Sequence, residues 1–189
     1  MRRLTPLIAI ALLMTLAPAA LGQRDDKQGR FGKADEQFLR DALQGVQVQA
    51  SISRLARERS DNEHVQRFGD EIVGALNKLE ADLRTRAESH GVDVSDKANK
   101  GQKRTDERLS KLRGGDFDVQ FMSEQVATLE SLVNMFEREV KLGENPGLKE
   151  FAERKGQDLK ERLERAKELY KNVKEHEGRD GGGERKRDR

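Results

Sequence analysis

The chain has 189 residues, of which 38% are charged, 34% are hydrophobic and 4% are aromatic. It contains no cysteine, which excludes disulfides and thiolate metal sites. Three prolines and a mixture of 37 basic with 35 acidic residues are typical of long amphipathic helices around a thin apolar core.

The N-terminus has the pattern of an export signal. Two arginines are followed by an almost wholly apolar run over 4–16, and small residues stand just before Gln23. This pattern predicts a secretory signal peptide over 1–22, cleaved after Gly22. The alternative is an uncleaved membrane anchor. We therefore expect an exported protein that meets the membrane only through this peptide, before cleavage.

Cleavage changes the charge balance. Removal of the two arginines reduces the 37 basic residues to 35, equal to the 35 acidic residues. A chain with no net charge gives no support for nucleic-acid binding, which depends on excess basic charge.

The first predicted helix follows a polar lead-in. Residues 23–34 are predicted to be disordered, and a bundle domain is predicted over 35–176. The first helix is predicted over 36–58, with Asp35 as its N-cap. Its inward face includes small residues that favour close approach to a neighbour: Phe38, Ala42, Gly45, Gln49, Ile52 and Ala56.

The second helix, predicted over 61–90, has the most regular apolar face. Its members recur in steps of three and four: Val65, Phe68, Ile72, Leu76, Leu79, Leu83 and Ala87. Ser60 and Glu63 have the spacing of a capping box, and Gly91 suits the left-handed turn past the helix end. The short gap between the first two helices predicts an antiparallel hairpin.

A long polar connector, 92–115, comes next and holds one short helical segment, 105–112. It is long enough to cross the bundle lengthwise, as in ferritin-like folds, and a folded-back path is the alternative. The third helix is predicted over 117–142. Its apolar face is Met122, Val126, Leu129, Val133, Phe136 and Val140, with Phe121 and Leu132 beside it.

The fourth helix is predicted over 146–175, with Asn145 as its N-cap and Pro146 at its first position. Its apolar face is Leu148, Phe151, Ala152, Leu159, Leu163, Ala166, Leu169, Tyr170 and Val173. The glycine-rich charged tail, 177–189, is predicted to be disordered. The predicted fold class is therefore all-α: a ferritin-like four-helix bundle of two antiparallel helix hairpins, joined by a long connector with a short helix.

No catalytic or cofactor motif stands out. The Glu-x-x-His motif of ferritin-like metal sites is absent from the sequence. The three histidines are expected on the surface: His64, His90 and His176. Carboxylates are expected on outer helix faces, in ion pairs such as Glu80 with Arg84 and Glu161 with Arg165.

Short motifs follow one another in a specific order over about 35–170. They are Phe38 with Leu55-Ala56; Ser60-Asp61-Asn62-Glu63-His64-Val65; Gly115-Asp116-Phe117-Asp118 with Phe121-Met122; Phe136-Glu137; Asn145-Pro146-Gly147-Leu148-Lys149-Glu150-Phe151-Ala152; and Leu163 with Ala166-Lys167. In this order and spacing they resemble an exported bacterial family called domain of unknown function 4142, often labelled "predicted outer membrane protein". The resemblance implies a ferritin-like bundle in the periplasm or outer envelope, with no established activity.

The resemblance also implies four inward positions, where family members usually carry a Glu on the first helix and a His on each of the others. Such a set could bind a metal. This chain has Gln49, Leu76, Leu129 and Arg162 at those positions. Two leucines and a cation supply neither the ligands nor the charge that a divalent metal needs, so we expect no metal and no cofactor. Arg162 either donates to Gln49 or extends outward over the core, and we expect the second.

Three functional hypotheses follow. The first is a non-enzymatic exported bundle with an interaction, structural or stress-related role in the envelope, its partner being an envelope protein or a second copy of the chain. The second is a ferritin-like protein that binds or oxidises iron at an atypical site, which rests on fold analogy alone. The third is a binder of anionic envelope surface through the tail, with its basic run at 185–187.

Overall fold

A computed structural model describes residues 31–94 and 100–184, with side chains described over 31–94 and 103–177. The helices in this part are α1 (Lys33–Arg59), α2 (Glu63–Ser89), α3 (Lys100–Leu109), α4 (Gly114–Leu142) and α5 (Pro146–Glu184). The predicted all-α bundle is confirmed: α1, α2, α4 and α5 pack together as four long helices, and α3 belongs to the connector.

The four long helices form a ring of antiparallel neighbours. α1 packs against α2 and α4, and α5 packs against α4 and, less extensively, against α2. Asp35 at the start of α1 hydrogen-bonds Asn145 in the turn between α4 and α5. Ala56 near the end of α1 faces Gly69 near the start of α2. Both predicted hairpins are therefore present.

The connector crosses the bundle from end to end. α2 finishes where α1 begins, because Phe31 stacks on His90 with ring centroids 3.7 Å apart. α4 starts at the opposite end, where Arg113 donates to a backbone carbonyl in the last turn of α1. Between the two ends α3 lies against α1 and α4, and Ser51 donates to Asp106 at 3.2 Å. Of the two predicted paths, the lengthwise crossing of ferritin-like connectivity is the correct one.

The apolar core follows the predicted faces most closely in α2, where all seven predicted residues are buried. Aromatic rings fill the space towards α5: Phe38 and Phe136 meet edge to face, with centroids 5.0 Å apart. α1 and α2 approach closely at Gly69, since a Cβ atom there would lie 2.6 Å from the Cβ atom of Ala56. The small residues of α1 thus have the predicted role of admitting a neighbour.

Helix boundaries differ from prediction where the sequence is polar. α1 begins at Lys33, inside the predicted lead-in, because its first turn is held by hydrogen bonds to Gly32 and Asp35. α4 begins at Gly114, three residues earlier than predicted. α5 continues to Glu184, so the tail predicted to be disordered is helical as far as that residue.

The remaining predicted segments are outside the described part. Residues 1–30, with the predicted signal peptide and most of the lead-in, and residues 185–189 of the tail belong there. No helix within residues 31–94 or 100–184 combines the length and apolar character needed to cross a membrane.

Two of the three predicted N-caps are wrong. Gly32 is the N-cap of α1, and Asp35 lies one turn further on, where its carboxylate accepts the Gly32 N–H at 2.8 Å. α2 is capped by Asn62, which accepts from a backbone N–H in the first turn at 2.9 Å, because Ser60 instead closes the end of α1. The predicted cap at Asn145 is confirmed by its bond to the backbone N–H of Leu148 at 2.9 Å.

Candidate functional site

The buried polar side chains in the described part of the bundle lie along the interface between α1 and α4 and at its two ends. They are Asp35, Gln49, Ser53, Ser60, Asp118, Gln125, Glu139 and Asn145, each at most 5% exposed. These eight residues form the polar seam of the bundle. On α4 its members recur at intervals of seven residues or a multiple of seven, which is about two helical turns, so they share the face towards α1.

The middle of the polar seam is a hydrogen-bonded amide cluster. Gln49 Nε2 donates to Gln125 Oε1 at 2.5 Å, and Gln125 Nε2 donates to Ser53 Oγ at 3.2 Å. Ser53 Oγ in turn donates to the backbone carbonyl of Gln49 at 2.7 Å. The bonds tie α1 to α4 across the core, and Gln49 Oε1 is left buried without a partner.

One end of the polar seam holds two carboxyl groups. Asp35 lies at the start of α1, and Glu139 lies in the last turn of α4. Burial, followed by the hydrogen bond and the charge of Asp35, raises the pKa of Glu139 to about 7. A carboxyl group with this pKa is about half protonated at neutral pH, and its protonated form can donate a hydrogen bond.

The opposite end holds one buried carboxyl group, Asp118 in the first turns of α4. Burial raises the pKa of Asp118 to about 6, against the lowering effect of its hydrogen bond from Ser60. The negative charges of Asp61 and Glu177 raise it further. Its Oδ1 atom is buried without a hydrogen-bond partner.

The prediction that carboxylates lie on outer faces is wrong for Asp35, Asp118 and Glu139. The two acids of α4 lie inward because the buried face is rotated from the predicted one: Gln125 and Glu139 take core positions next to the predicted Val126 and Val140, which are only partly buried. Backbone N–H groups beside Asp35 and the Ser60 hydroxyl beside Asp118 offset part of the cost of burying these two carboxyl groups.

The predicted surface pairs are partly correct. Glu80 and Arg84 form the predicted ion pair, with 3.0 Å between nitrogen and oxygen. Arg165 pairs with Glu71 of α2 at 2.7 Å and not with Glu161 as predicted. That pair links α5 to α2, whose mutual packing is otherwise limited.

The structure places three of the four family-equivalent positions in the core: Gln49, Leu76 and Leu129 are buried. Arg162 is half-buried and lines a cavity of about 30 Å³ with Leu76 and Leu79. It does not bond Gln49, whose amide nitrogen is used by Gln125 and whose oxygen has no partner. The alternative in which Arg162 donates to Gln49 is therefore wrong.

The four positions do not fit a divalent metal. Leu76 and Leu129 offer hydrocarbon, and the amide nitrogen of Gln49 is engaged with α4. Arg162 carries a positive charge, which opposes a cation. Across the described side chains, no three His, Cys, Asp or Glu residues are arranged to hold a metal ion. Metal-free function stays a prediction.

The histidines contribute to surfaces rather than to the polar seam. His64 and His176 are exposed, and His90 is half-buried beneath the Phe31 ring.

Sequence reasoning missed Gln125, Asp118 and Glu139 as inward groups. The signal that could have found them is their spacing, since Asp118, Gln125 and Glu139 lie on one face with Leu132.

A surface cleft of about 200 Å³ lies between α2 and α5. Its lining combines His64, Arg67 and Arg165 with Glu71 and Glu168. Charges of both signs suit a polar or zwitterionic partner better than a uniformly anionic one.

Comparison with known proteins finds one family. The family model described as "Domain of unknown function (DUF4142)" matches residues 20–169, which is well over half of the chain. No curated protein and no solved structure matches the chain. The chain therefore belongs to the family described as Domain of unknown function (DUF4142), as its motifs predicted.

Proposed function

We propose that this protein is an exported, non-catalytic helical bundle with an interaction, structural or stress-related role in the cell envelope. The observation that carries the proposal is the chemistry of its interior. Leucines occupy two inward positions, and the amides of Gln49 and Gln125 bond to each other. An interior of this kind supports a role in holding the helices together.

Export and the envelope location rest on the predicted signal peptide over 1–22 and on the resemblance of the motifs to an exported family. Expression of the full chain in a Gram-negative host, followed by fractionation and a mass spectrum, tests this. We expect a periplasmic protein whose mass corresponds to a chain that begins at Gln23. A membrane-bound species that retains 1–22 would support the uncleaved anchor instead.

The main competitor is a ferritin-like protein that binds or oxidises iron. It predicts stoichiometric metal in the protein purified after expression of the full chain. We expect elemental analysis, with and without added iron, to find far less than one equivalent of iron or manganese. Stoichiometric metal at either condition would overturn the proposal.

A gain-of-ligand variant provides the matched control for that measurement. Gln49→Glu, Leu76→His, Leu129→His and Arg162→His together restore the ligand set that the resemblance implies. If the circular dichroism of this variant stays helical, we expect it to acquire metal while the parent does not. The comparison then shows that the inward residues, and not the growth medium, decide the metal content.

The third hypothesis, binding to anionic surface through the tail, is tested separately. Co-sedimentation with vesicles of anionic lipid at low salt would compare the chain with a version lacking 178–189. Equal binding by the two would exclude the tail as the contact.

A further inference from the structure

The carboxylate of Asp35 joins three parts of the fold at one end of the bundle. It accepts the backbone N–H groups of Gly32 at 2.8 Å, Glu144 at 2.8 Å and Asn145 at 3.1 Å. Gly32 precedes α1, whereas Glu144 and Asn145 form the turn between α4 and α5. A single buried side chain therefore fixes the start of α1 to a turn more than 100 positions later in the chain.

Glu139 of α4 completes this arrangement. Its carboxyl group is buried and hydrogen-bonded to Asp35, and its Oε1 atom has no partner. A Cβ atom on Gly143 would overlap this carboxyl group, so the turn is fitted directly around it. Two carboxyl groups can share a hydrogen bond only when one of them carries a proton.

The charged groups around the pair do not replace that proton. Lys149 of α5 favours the ionised form of Glu139, and its effect is smaller than those of burial and of Asp35. Glu144 has its own carboxylate beside Gly32, which adds negative charge to this end. Burial and Asp35 together raise the pKa of Glu139 to about 7.

We propose that this end of the bundle is a proton-dependent latch, in which protonated Glu139 holds α1, α4 and the α4–α5 turn together and loss of the proton releases the turn. Two adjacent negative charges in a buried site repel each other strongly, because the interior screens them poorly. Glu139 gains solvation by moving outwards. The exit is short, since Leu142, less than one turn further along α4, is 66% exposed.

The amides of Glu144 and Asn145 report the state of the latch, because both donate to Asp35. Hydrogen exchange of these amides, corrected for intrinsic exchange, would be measured at pH 5.5 and pH 8.5 on the protein obtained from the full chain. We expect their protection to fall roughly 10- to 30-fold over this range, as linkage with a folded-state pKa near 7 requires. Glu139→Gln, which keeps a donor but cannot ionise, should remove this pH dependence.

Glu137→Gln is the matched control. Glu137 lies two residues away on the same helix but is only half-buried, and its hydrogen bond and ion pair with Lys160 lower its pKa. The control should keep the pH dependence of the parent. If Glu139→Gln retained the parental dependence, the latch would be excluded.

Two further measurements keep the proposal testable if Glu139→Gln does not fold. The titration of the Glu139 carboxyl carbon can be followed by NMR in the unsubstituted protein. A titration midpoint below about pH 5 would show that Glu139 is ionised at neutral pH and would exclude the latch. Addition of Ca²⁺ or Mg²⁺ at pH 8.5 tests a cation in place of the proton. Restored protection of the two turn amides would show that the pair is a cation site and would overturn the latch.

Discussion

Gln49 of α1 donates a 2.5 Å hydrogen bond to Gln125 of α4 at the centre of the bundle, where both side chains are fully buried. α1 and α4 do not follow each other in the chain, so this bond links the two hairpins. A buried polar bond is satisfied in one register of the two helices and broken in others. The amide pair therefore selects one register for the hairpin–hairpin interface.

The first prediction concerns loss of one partner. Gln125→Leu should lower the free energy of unfolding by about 2–3 kcal/mol, because it leaves the amide nitrogen of Gln49 buried without its hydrogen-bond acceptor. Urea denaturation followed by circular dichroism measures this change. A loss below about 0.5 kcal/mol would contradict the view that the amide cluster is isolated from water.

The double substitution separates the cost of a buried amide without a hydrogen-bond partner from the cost of altered packing. Gln49→Leu with Gln125→Leu removes both partners, so no side-chain amide is left unsatisfied, and Ser53 keeps its bond to a backbone carbonyl. We expect the double variant to lose about 1–2 kcal/mol less than the sum of the two single losses. Strict additivity would show that the two amides do not depend on each other.

The second prediction is a pH dependence that originates at Asp118. Its pKa rises from 3.8 to about 6 on folding, so the folded protein holds a proton that the unfolded chain releases. The stability from this group is complete below pH 3.8 and is lost as the pH rises through about 6. Relative to the parent, Asp118→Asn should gain about 2–3 kcal/mol in unfolding free energy between pH 4 and pH 8.

Asp116→Asn is the control for that titration. Asp116 lies two residues earlier in the first turn of α4 and is exposed. Its substitution should change stability by about 0.5 kcal/mol through the helix dipole, without the gain expected for Asp118→Asn. If both variants changed the pH profile equally, the effect would belong to the helix end and not to the buried carboxyl group.

Much of the fold could be predicted from the sequence because apolar periodicity is a strong signal in long helices. The face of α2 is regular from Val65 to Ala87, and every predicted member is buried. The path of the connector could not be predicted, because few apolar residues, such as the buried Leu109, lie in it beside polar contacts such as the bond from Ser51 to Asp106. Its length allowed both paths.

The polar seam was harder to predict because the helix face was assigned by hydrophobicity. The prediction placed Val126 and Val140 in the core, whereas the structure buries their sequence neighbours Gln125 and Glu139. A polar side chain can be buried at low cost when a hydrogen-bond partner lies opposite it on another helix. The partners of Gln125 and Glu139 are on α1, more than 70 positions away in the chain, where no local pattern reveals them.

The third prediction compares two glycines of α2, Gly69 and Gly74. Gly69→Ala would place its Cβ atom 2.6 Å from the Cβ atom of Ala56 and 2.8 Å from the Ser53 carbonyl oxygen. Because these neighbours belong to a packed helix, α1 and α2 must move apart. We expect a loss of about 1–3 kcal/mol in the free energy of unfolding, measured by thermal and urea denaturation.

Gly74→Ala serves as the control within the same helix, since its Cβ atom would meet nothing within 4 Å. There the substitution removes flexibility of the unfolded chain and improves helix propensity, so stability should rise by about 0.5–1 kcal/mol. Both substitutions add one methyl group to α2, and they differ in whether α1 lies against that methyl group. If both raised stability, the close approach of α1 and α2 would not exist in solution, and the small residues of α1 would need another explanation.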